Sequence, residues 1–390
     1  MSAMNAAEHT RSANAKIGIY VQVPFCQTKC TYCNFHTGVF SRSLYSPYVD
    51  AVCREIRGSR ALPNTMADTV YIGGGTPSLL GPADVARILA AIRDVYGAKW
   101  EEVTLEADPQ TITPQNAQVW RDAGVNRISM GVQSFCDEEL RAAARMHRRE
   151  DVYRAVATLR SVGFNNLSMD LIAGLPYQTR QSWQCSLSEL TAIAPEHVSI
   201  YLLEVDEGSR LGKEILRGGA KYSAAKVPSD DEMADFYEAA CDALRGAGYE
   251  HYEISNWALP DRASKHNLKY WRREAYFGFG AGAHSFDGSK RWSNLHDPAA
   301  YAKAVDEGRS TVDSEETVTS AQALDEEFFL GLRELAGIDL ARIEREHVAD
   351  LSARITKLLD EGLLEREGNR IRLNPAKLAI SNEVFVELLG

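Results

Sequence analysis

The hydrophobic positions of the chain recur in six short runs that are rich in β-branched and aliphatic residues. Five segments in which apolar residues return every three to four positions separate these runs. This β–α alternation predicts a parallel sheet covered by helices. Because nearly every run reads as apolar and buried, we expect an α/β fold with a partial (β/α)6 barrel. The predicted strands are Ile17–Val23, Thr69–Ile72, Val103–Glu106, Arg127–Val132, Asn166–Ile172 and Val198–Val205, and the predicted helices lie near 45–60, 82–97, 114–123, 137–161 and 179–193.

The pattern changes after the sixth predicted strand. Residues 206–230 are rich in glycine and read as a connection, and an aromatic stretch from His251 to Phe286 shows little periodicity. From about 318 the spacing is helical again, and two short segments flank Gly368–Asn369, which predicts a hairpin. We therefore predict four parts, namely a flexible N-terminus (1–16), a barrel core (17–205), a connecting region (206–310) and a small winged-helix-like C-terminal domain (311–390).

Composition and charge narrow the class of protein. The 390 residues are 45% hydrophobic and 25% charged, which is ordinary for a globular protein and excludes a disordered or collagen-like chain. Apolar runs stay far below the ~20 residues that span a bilayer, and the N-terminus lacks the apolar core of a signal peptide. We therefore expect a cytoplasmic protein with at most transient contact with a membrane surface. The net charge of −11 argues against nucleic acid as a partner.

Three of the seven cysteines, Cys26, Cys30 and Cys33, form a C-x3-C-x2-C run directly after the first predicted strand. Three soft thiolates on one short loop suit an iron–sulfur cluster. A 4Fe-4S cluster held by three cysteines leaves one iron open to another ligand. The alternatives are a zinc site completed by a residue such as His36, and buried structural thiols. The other four cysteines are scattered and read as small buried apolar residues.

Glycine and charged residues stand where several predicted strands end. The second strand runs into Gly73–Thr76, where glycines let the backbone approach a ligand and expose N–H groups to an anion. Asp170 lies within an otherwise apolar strand, so its carboxylate must be paired or border a polar cavity. Arg145 is expected on the helix after the fourth strand, where it could face a carboxylate. As alternatives, the glycines form a plain tight turn, and the charged residues are helix caps or ion pairs.

The segment "YVQVPFCQTKCTYC" resembles the opening of radical S-adenosylmethionine (SAM) enzymes, including the tyrosine just before the last cysteine. The resemblance implies a barrel fold, a 4Fe-4S cluster whose open iron chelates SAM, and an electron donor such as flavodoxin or ferredoxin. It also implies a set of SAM-binding residues near the carboxyl ends of the predicted strands: Tyr20, Tyr32, Gly74, Gly75, Thr76, Glu106, Gln133, Arg145 and Asp170.

Over nearly the whole chain the resemblance extends to proteins related to oxygen-independent coproporphyrinogen III oxidase, here called the dehydrogenase. That enzyme carries a fourth cysteine where this chain has Phe35, and a longer segment before the cysteine loop than the residues preceding Cys26. In both respects the chain is similar instead to HemW-type haem chaperones. The segment "HNLKYW" matches the H-N-x-x-Y-W motif that this group associates with haem, and this match implies haem contact by His266, Asn267, Tyr270 and Trp271.

The alternative for this segment is a structural His–Asn pair beside core aromatic residues, and His284 is a second candidate for contact with haem. The resemblance implies a haem chaperone that binds a 4Fe-4S cluster, SAM and haem and delivers haem to respiratory haemoproteins. Three alternatives stay open: the dehydrogenase, a related radical SAM methyl or methylene transferase, and a winged-helix protein that binds nucleic acid or another partner. Whether the protein is an enzyme also stays open, because the resemblance names no catalytic residue.

Overall fold

The structure is a computed structural model that describes residues 16–59, 65–342 and 345–389, so the predicted flexible N-terminus lies, but for its last residue, outside the described ranges. The strands are β1 (Lys16–Val23), β2 (Met66–Gly74), β3 (Glu102–Ala107), β4 (Arg127–Gln133), β5 (Leu167–Ala173), β6 (His197–Leu202), β7 (Glu250–Glu253), β8 (Asn256–Ala258), β9 (Tyr276–Phe279), β10 (His284–Phe286), β11 (Lys290–Asn294), β12 (Val312–Thr317), β13 (Ile338–Asp339), β14 (Leu364–Glu367) and β15 (Arg370–Leu373).

The helices include four that the sequence predicts between the first six strands, and the fifth predicted helix is divided into two. They are α1 (Tyr45–Gly58), α2 (Pro82–Tyr96), α3 (Pro114–Ala123), α4 (Asp137–Ala142), α5 (Arg149–Val162), α6 (Arg180–Ile193), α7 (Arg210–Leu216), α8 (Asp230–Gly246), α9 (Lys265–Trp271), α10 (Pro298–Asp306), α11 (Ser320–Gly331), α12 (Arg345–Asp360) and α13 (Ser381–Leu389). None of the helices in the described ranges combines the length and the hydropathy needed to cross a membrane.

Strands β1 to β6 pair in parallel and in sequence order, and this confirms the predicted (β/α)6 arrangement. At one edge β9 adds in parallel to β1, and β10, β11 and β12 continue the sheet antiparallel. At the other edge β8 pairs antiparallel with β6, and β7 pairs antiparallel with β8. The twelve strands form a curved sheet with two free edges, so among the described residues the barrel is partial rather than closed.

The parallel strands are largely buried, as expected, but polar side chains alternate with the apolar ones. In β5, Leu167, Met169 and Leu171 are fully buried against the helices. Ser168 and Asp170 alternate with them and point to the opposite face, because successive side chains of a strand point to opposite faces of the sheet. The inner face of the barrel is therefore lined by polar side chains, and a polar interior can accept a polar ligand.

The single helix predicted over 137–161 is two helices. α4 ends at Ala142, Ala144 has a φ of 57°, and α5 begins at Arg149. A residue in the left-handed region cannot continue a right-handed helix. Arg145 therefore lies in the break between α4 and α5, and the expectation that it lies on a helix is wrong.

The C-terminal part has the helices and the hairpin that the sequence predicts. β14 and β15 flank the turn at Gly368–Asn369, and β13 pairs with β15 to complete a three-stranded sheet. α12 ends before Gly362, whose φ of 68° suits glycine. β12 pairs with β11, so the main sheet continues to Thr317 and passes the predicted domain start at 311.

Candidate functional site

A cavity of about 760 Å³ opens at the carboxyl ends of the parallel strands. Its volume lies within the range of small-molecule sites. His36 and His284, named above as alternatives, also border it. All the residues predicted for the cluster and for SAM line this cavity: Tyr20, Cys26, Cys30, Tyr32, Cys33, Gly74, Gly75, Thr76, Glu106, Gln133, Arg145 and Asp170.

Backbone contacts hold the cysteine loop between β1 and the break that follows α4. The Cys26 N–H donates to the carbonyl of Gly38 at 2.8 Å, and the Thr31 N–H donates to the carbonyl of Ala143 at 3.1 Å. The Arg145 guanidinium lies 3.6 Å from the Cys30 sulfur. A guanidinium at this distance stabilises a thiolate, the form of cysteine that binds metals.

The three thiols lie close enough to influence one another. Burial raises the pKa of the Cys26 thiol; hydrogen bonds from Thr37 and Thr76 oppose the rise, while the charges of Cys33 and Cys30 add to it. Such a set binds protons in the absence of a cation and releases them to a metal. In the described part of the chain, no three Cys, His, Asp or Glu side chains are gathered to hold a single metal ion.

Glu106, at the end of β3, connects the glycine turn to the barrel interior. Its carboxylate accepts hydrogen bonds from the Tyr71 hydroxyl at 2.8 Å and from the Gly74 N–H at 2.9 Å. Gly74 has a φ of 110°, and a Cβ atom there would lie 2.5 Å from the Gln22 side chain. Only glycine combines this positive φ with the absence of a Cβ atom, so the turn can pack closely beside the cavity.

Two carboxyl groups in the barrel interior favour a positively charged guest. Burial raises the pKa of Glu106, and hydrogen bonds from Tyr71 and Gly74 oppose this rise. Burial and then the charge of Glu106 raise the pKa of Asp170 to about 7. A cation placed between two such groups would restore their ionised forms, because an opposite charge nearby lowers a carboxyl pKa.

Arg145 and Gln133 leave polar atoms without partners at the cavity wall. Arg145 donates to Asp108 at 2.9 Å and to the carbonyl of Gly131 at 2.7 Å, but its Nε atom is buried without a hydrogen-bond partner. The Gln133 Oε1 atom is buried and unpartnered too, and Gln133 has a φ of 67°. Buried polar atoms normally have partners, and strained backbone clusters at functional sites. Both residues are therefore arranged to meet a polar ligand.

The structure does not bring the HNLKYW segment to the cavity. α9 lies toward the amino ends of the strands, where the Glu102 carboxylate accepts from the N–H groups of Lys265 and His266 at 3.0 and 3.1 Å. His266 is 1% exposed. Its Nδ1 lies 2.9 Å from the Thr69 hydroxyl and its Nε2 lies 2.9 Å from the Tyr270 hydroxyl.

Haem contact at this motif stays a prediction, and in this arrangement the side chains of the segment are engaged within the protein. Both ring nitrogens of His266 are engaged, and burial lowers the pKa of its imidazole to about 3. Asn267, Tyr270 and Trp271 do not border the cavity either. The Trp271 ring instead packs under the Arg333 guanidinium, with 4.5 Å from the guanidinium carbon to the ring centroid. His266 therefore lies beside aromatic residues, as the structural alternative expects, but its ring nitrogens lie against the hydroxyls of Thr69 and Tyr270.

The HNLKYW segment nevertheless contacts a residue that supports the cavity. The His266 ring stacks on Tyr71 with ring centroids 5.3 Å apart, and Tyr71 in turn donates to Glu106. Sequence reasoning missed Tyr71 as well as Asp108, the partner of Arg145. Polar alternation along β2 and β3 is the signal that could have found them. Sequence reasoning also missed the segment Leu378–Asn382, which borders the cavity although it lies far from the cysteine loop in the sequence.

Comparison with protein-family models identifies two segments. Residues 20–188 match the model of the radical SAM superfamily, and residues 318–376 match the model of the HemN C-terminal domain. The first match spans the cysteine loop and most of the parallel strands. The second begins directly after β12, where the main sheet ends.

Relatives and a solved structure match almost the whole chain. The haem chaperone HemW of Lactococcus lactis subsp. lactis (strain IL1403) is 33% identical over 95% of this chain and 96% of its own length. The haem chaperone HemW of Synechocystis sp. is 36% identical over 90% of this chain and 86% of its own length. The structure of coproporphyrinogen III oxidase (HemN) from Escherichia coli superposes with a TM-score of 0.81 at 24% identity, covering 97% and 91% of the two chains. This last similarity shows the fold.

Proposed function

Because the chain belongs to the family of the haem chaperone HemW, within the radical SAM superfamily, we propose that it binds a 4Fe-4S cluster, SAM and haem, and delivers the haem to respiratory haemoproteins. The observation that carries this proposal is the single cavity that gathers the cysteine loop, the glycine turn and the inward-facing carboxyl groups. The cysteine loop suits the cluster, and the glycine turn and the carboxyl groups suit SAM.

Cys26, Cys30 and Cys33 would hold the cluster as thiolates. When bound, a cluster with three protein ligands supplies an open iron that chelates the amino and carboxylate groups of SAM. The Arg145 guanidinium beside Cys30 favours the thiolate and faces the same cavity. Its unpartnered Nε atom leaves a donor for a carboxylate or another acceptor.

The carboxyl groups and the glycine turn would hold SAM, which carries a sulfonium and an amino group. Asp170 and Glu106 both have raised pKa values and gain stability from a nearby cation. Tyr71 and the Gly74 N–H keep the Glu106 carboxylate in place before the ligand arrives. A site oriented in advance loses less entropy on binding.

Haem is the proposed cargo. Part of the cavity wall is apolar, with Leu79, Leu203 and Leu378 among its lining residues, and a porphyrin ring requires such a surface. We further propose flavodoxin or ferredoxin as an electron donor and a cytoplasmic location with at most transient contact with a membrane surface. No role with nucleic acid is proposed, since the net charge is −11.

Anaerobic reconstitution with iron and sulfide, followed by haem titration, tests the proposal. The Cys30→Ala variant should lose the brown cluster chromophore, whereas the matched variant Cys185→Ala should keep it, because Cys185 is exposed on α6 and does not border the cavity. The wild-type protein should bind haem and transfer it to an apo-haemoprotein. Rapid conversion of coproporphyrinogen III to protoporphyrinogen IX would instead make the protein an enzyme and overturn the chaperone function.

A further inference from the structure

Three histidines lie close together at the mouth of the cavity, away from the HNLKYW segment. His36 belongs to the cysteine loop, His284 begins β10, and His296 follows β11. The rings of His36 and His296 lie 4.5 Å apart between centroids, and both rings are near enough to His284 to affect its titration. At Gly282, a Cβ atom would lie 3.2 Å from Nδ1 of His296, so the backbone before His284 packs against this group.

His284 has the exposure and support that a ligand residue needs. Its side chain is exposed and borders the cavity, while its backbone pairs with Ser293 of β11 within the main sheet. Burial of part of the ring, then the charges of His296, Arg291 and His36, lower the pKa of His284. Near neutral pH the imidazole is therefore uncharged, which is the form that ligates iron.

The surroundings of His284 suit haem better than a bare metal ion. Haem iron already has four porphyrin nitrogens and takes only one or two further ligands, so a single imidazole suffices. Phe35 is 67% exposed and Met146 is 48% exposed, and both border the same cavity. Exposed apolar side chains beside an imidazole offer a surface for the porphyrin ring.

We propose that haem binds at this mouth with the His284 imidazole as an axial iron ligand, with Phe35 and Met146 against the porphyrin and the His36–His296 pair beside it. The assignment rests on the proposed function and replaces His266 as the ligand. It places the cargo next to the cysteine loop, because Phe35 and His36 lie two and three residues after Cys33.

The test is a haem titration of the full-length reconstituted protein, followed by absorption and electron paramagnetic resonance spectra of the ferric complex. His284→Gly should weaken haem binding roughly tenfold or more and change the axial-ligand signature. Added imidazole should restore the wild-type spectrum in this variant, which no purely structural role would predict. His251→Gln is the matched control, since His251 stacks on Trp257 and does not border the cavity.

The outcomes separate this assignment from the proposed function. If wild-type protein binds haem and His284→Gly keeps both the affinity and the spectrum, the assignment is overturned while the chaperone function stands. Loss of the wild-type spectrum in His266→Gln but not in His284→Gly, with the cluster intact in both, would return the ligand role to the motif. A wild-type protein that binds no haem overturns both proposals.

Discussion

Replacing Asp170 by asparagine should stabilise the protein without its cluster and SAM at pH 8 and leave its stability nearly unchanged at pH 4. Asp170 projects from β5 into the cavity, near the Glu106 carboxyl. Burial and Glu106 raise its pKa from 3.8 to about 7. Asparagine has almost the same shape and keeps the hydrogen-bonding capacity toward Ser199, but it carries no charge.

The direction of the stability change follows from the protons that the folded and unfolded states bind at each pH. Below pH 3.8 the carboxyl is protonated in both states, and the folded state suffers no penalty. Between pH 3.8 and about 7 the unfolded chain ionises while the folded protein keeps its proton, so the free energy of unfolding falls with rising pH. Above pH 7 the loss in the free energy of unfolding is constant. It is no more than about 4 kcal/mol, since each unit of difference between the folded and unfolded pKa corresponds to about 1.4 kcal/mol. Water in the cavity screens part of the charge, and we expect roughly 2 kcal/mol.

The assay is urea unfolding of wild-type and Asp170→Asn protein at pH 4, 6 and 8, read as the difference between the two at each pH. The difference should be near zero at pH 4 and should grow in favour of the variant up to pH 8. Asp242→Asn is the control, because its carboxylate is 78% exposed and does not border the cavity. A variant that is less stable than wild type at pH 8, or a difference that does not change with pH, would refute the reasoning.

Three further substitutions test the residues that hold the glycine turn, Glu106 and α9 in place. Gly74→Ala should lose SAM binding and about 1–3 kcal/mol of stability in thermal denaturation, because a Cβ atom would overlap Gln22 at an unfavourable φ. Tyr71→Phe removes a donor to Glu106 and should weaken SAM binding by about 1–2 kcal/mol in calorimetry, with the fold unchanged. Glu102→Gln weakens the cap of α9 and should lower the free energy of unfolding, measured in urea, by about 1–2 kcal/mol, while haem affinity stays the same.

Matched substitutions keep these results interpretable. Gly58→Ala adds a Cβ atom that meets nothing within 4 Å, Tyr153→Phe changes an exposed tyrosine, and Glu250→Gln removes the charge of the exposed first residue of β7. Each control should behave as wild type. Loss of haem binding in Glu102→Gln but not in Glu250→Gln would count against the proposed separation of α9 from the haem site.

Local spacing was sufficient to predict the features that depend on neighbours in sequence. The cysteine run, the glycine turn after β2 and Asp170 within β5 could be connected because parallel strands bring their carboxyl ends to one edge. The hairpin at Gly368–Asn369 followed from turn chemistry alone. In these cases the interactions that decide the structure lie within a few residues of one another, or follow from the order of the strands.

The errors concern features set by distant contacts. The break at Ala144 depends on Arg145 reaching Asp108 and the cysteine loop, and helical spacing alone cannot show this. The contact between His266 and Thr69 of β2 is also a distant one that spacing cannot show, whereas haem contact at His266 stays a prediction. The sequence shows polar residues at every second position of several strands, which predicts the polar lining of the barrel. The interpretation relied instead on the apolar residues between them.

The cavity wall joins segments that are synthesised at very different times. The cysteine loop and β1 to β6 come early in the chain, whereas Leu378–Asn382 comes near the end of the described residues. During translation the loop therefore leaves the ribosome long before the C-terminal wall exists, and domains generally fold in that order. The cysteine loop is therefore open to solvent on the nascent chain, and the cavity gains its C-terminal wall only when synthesis is complete.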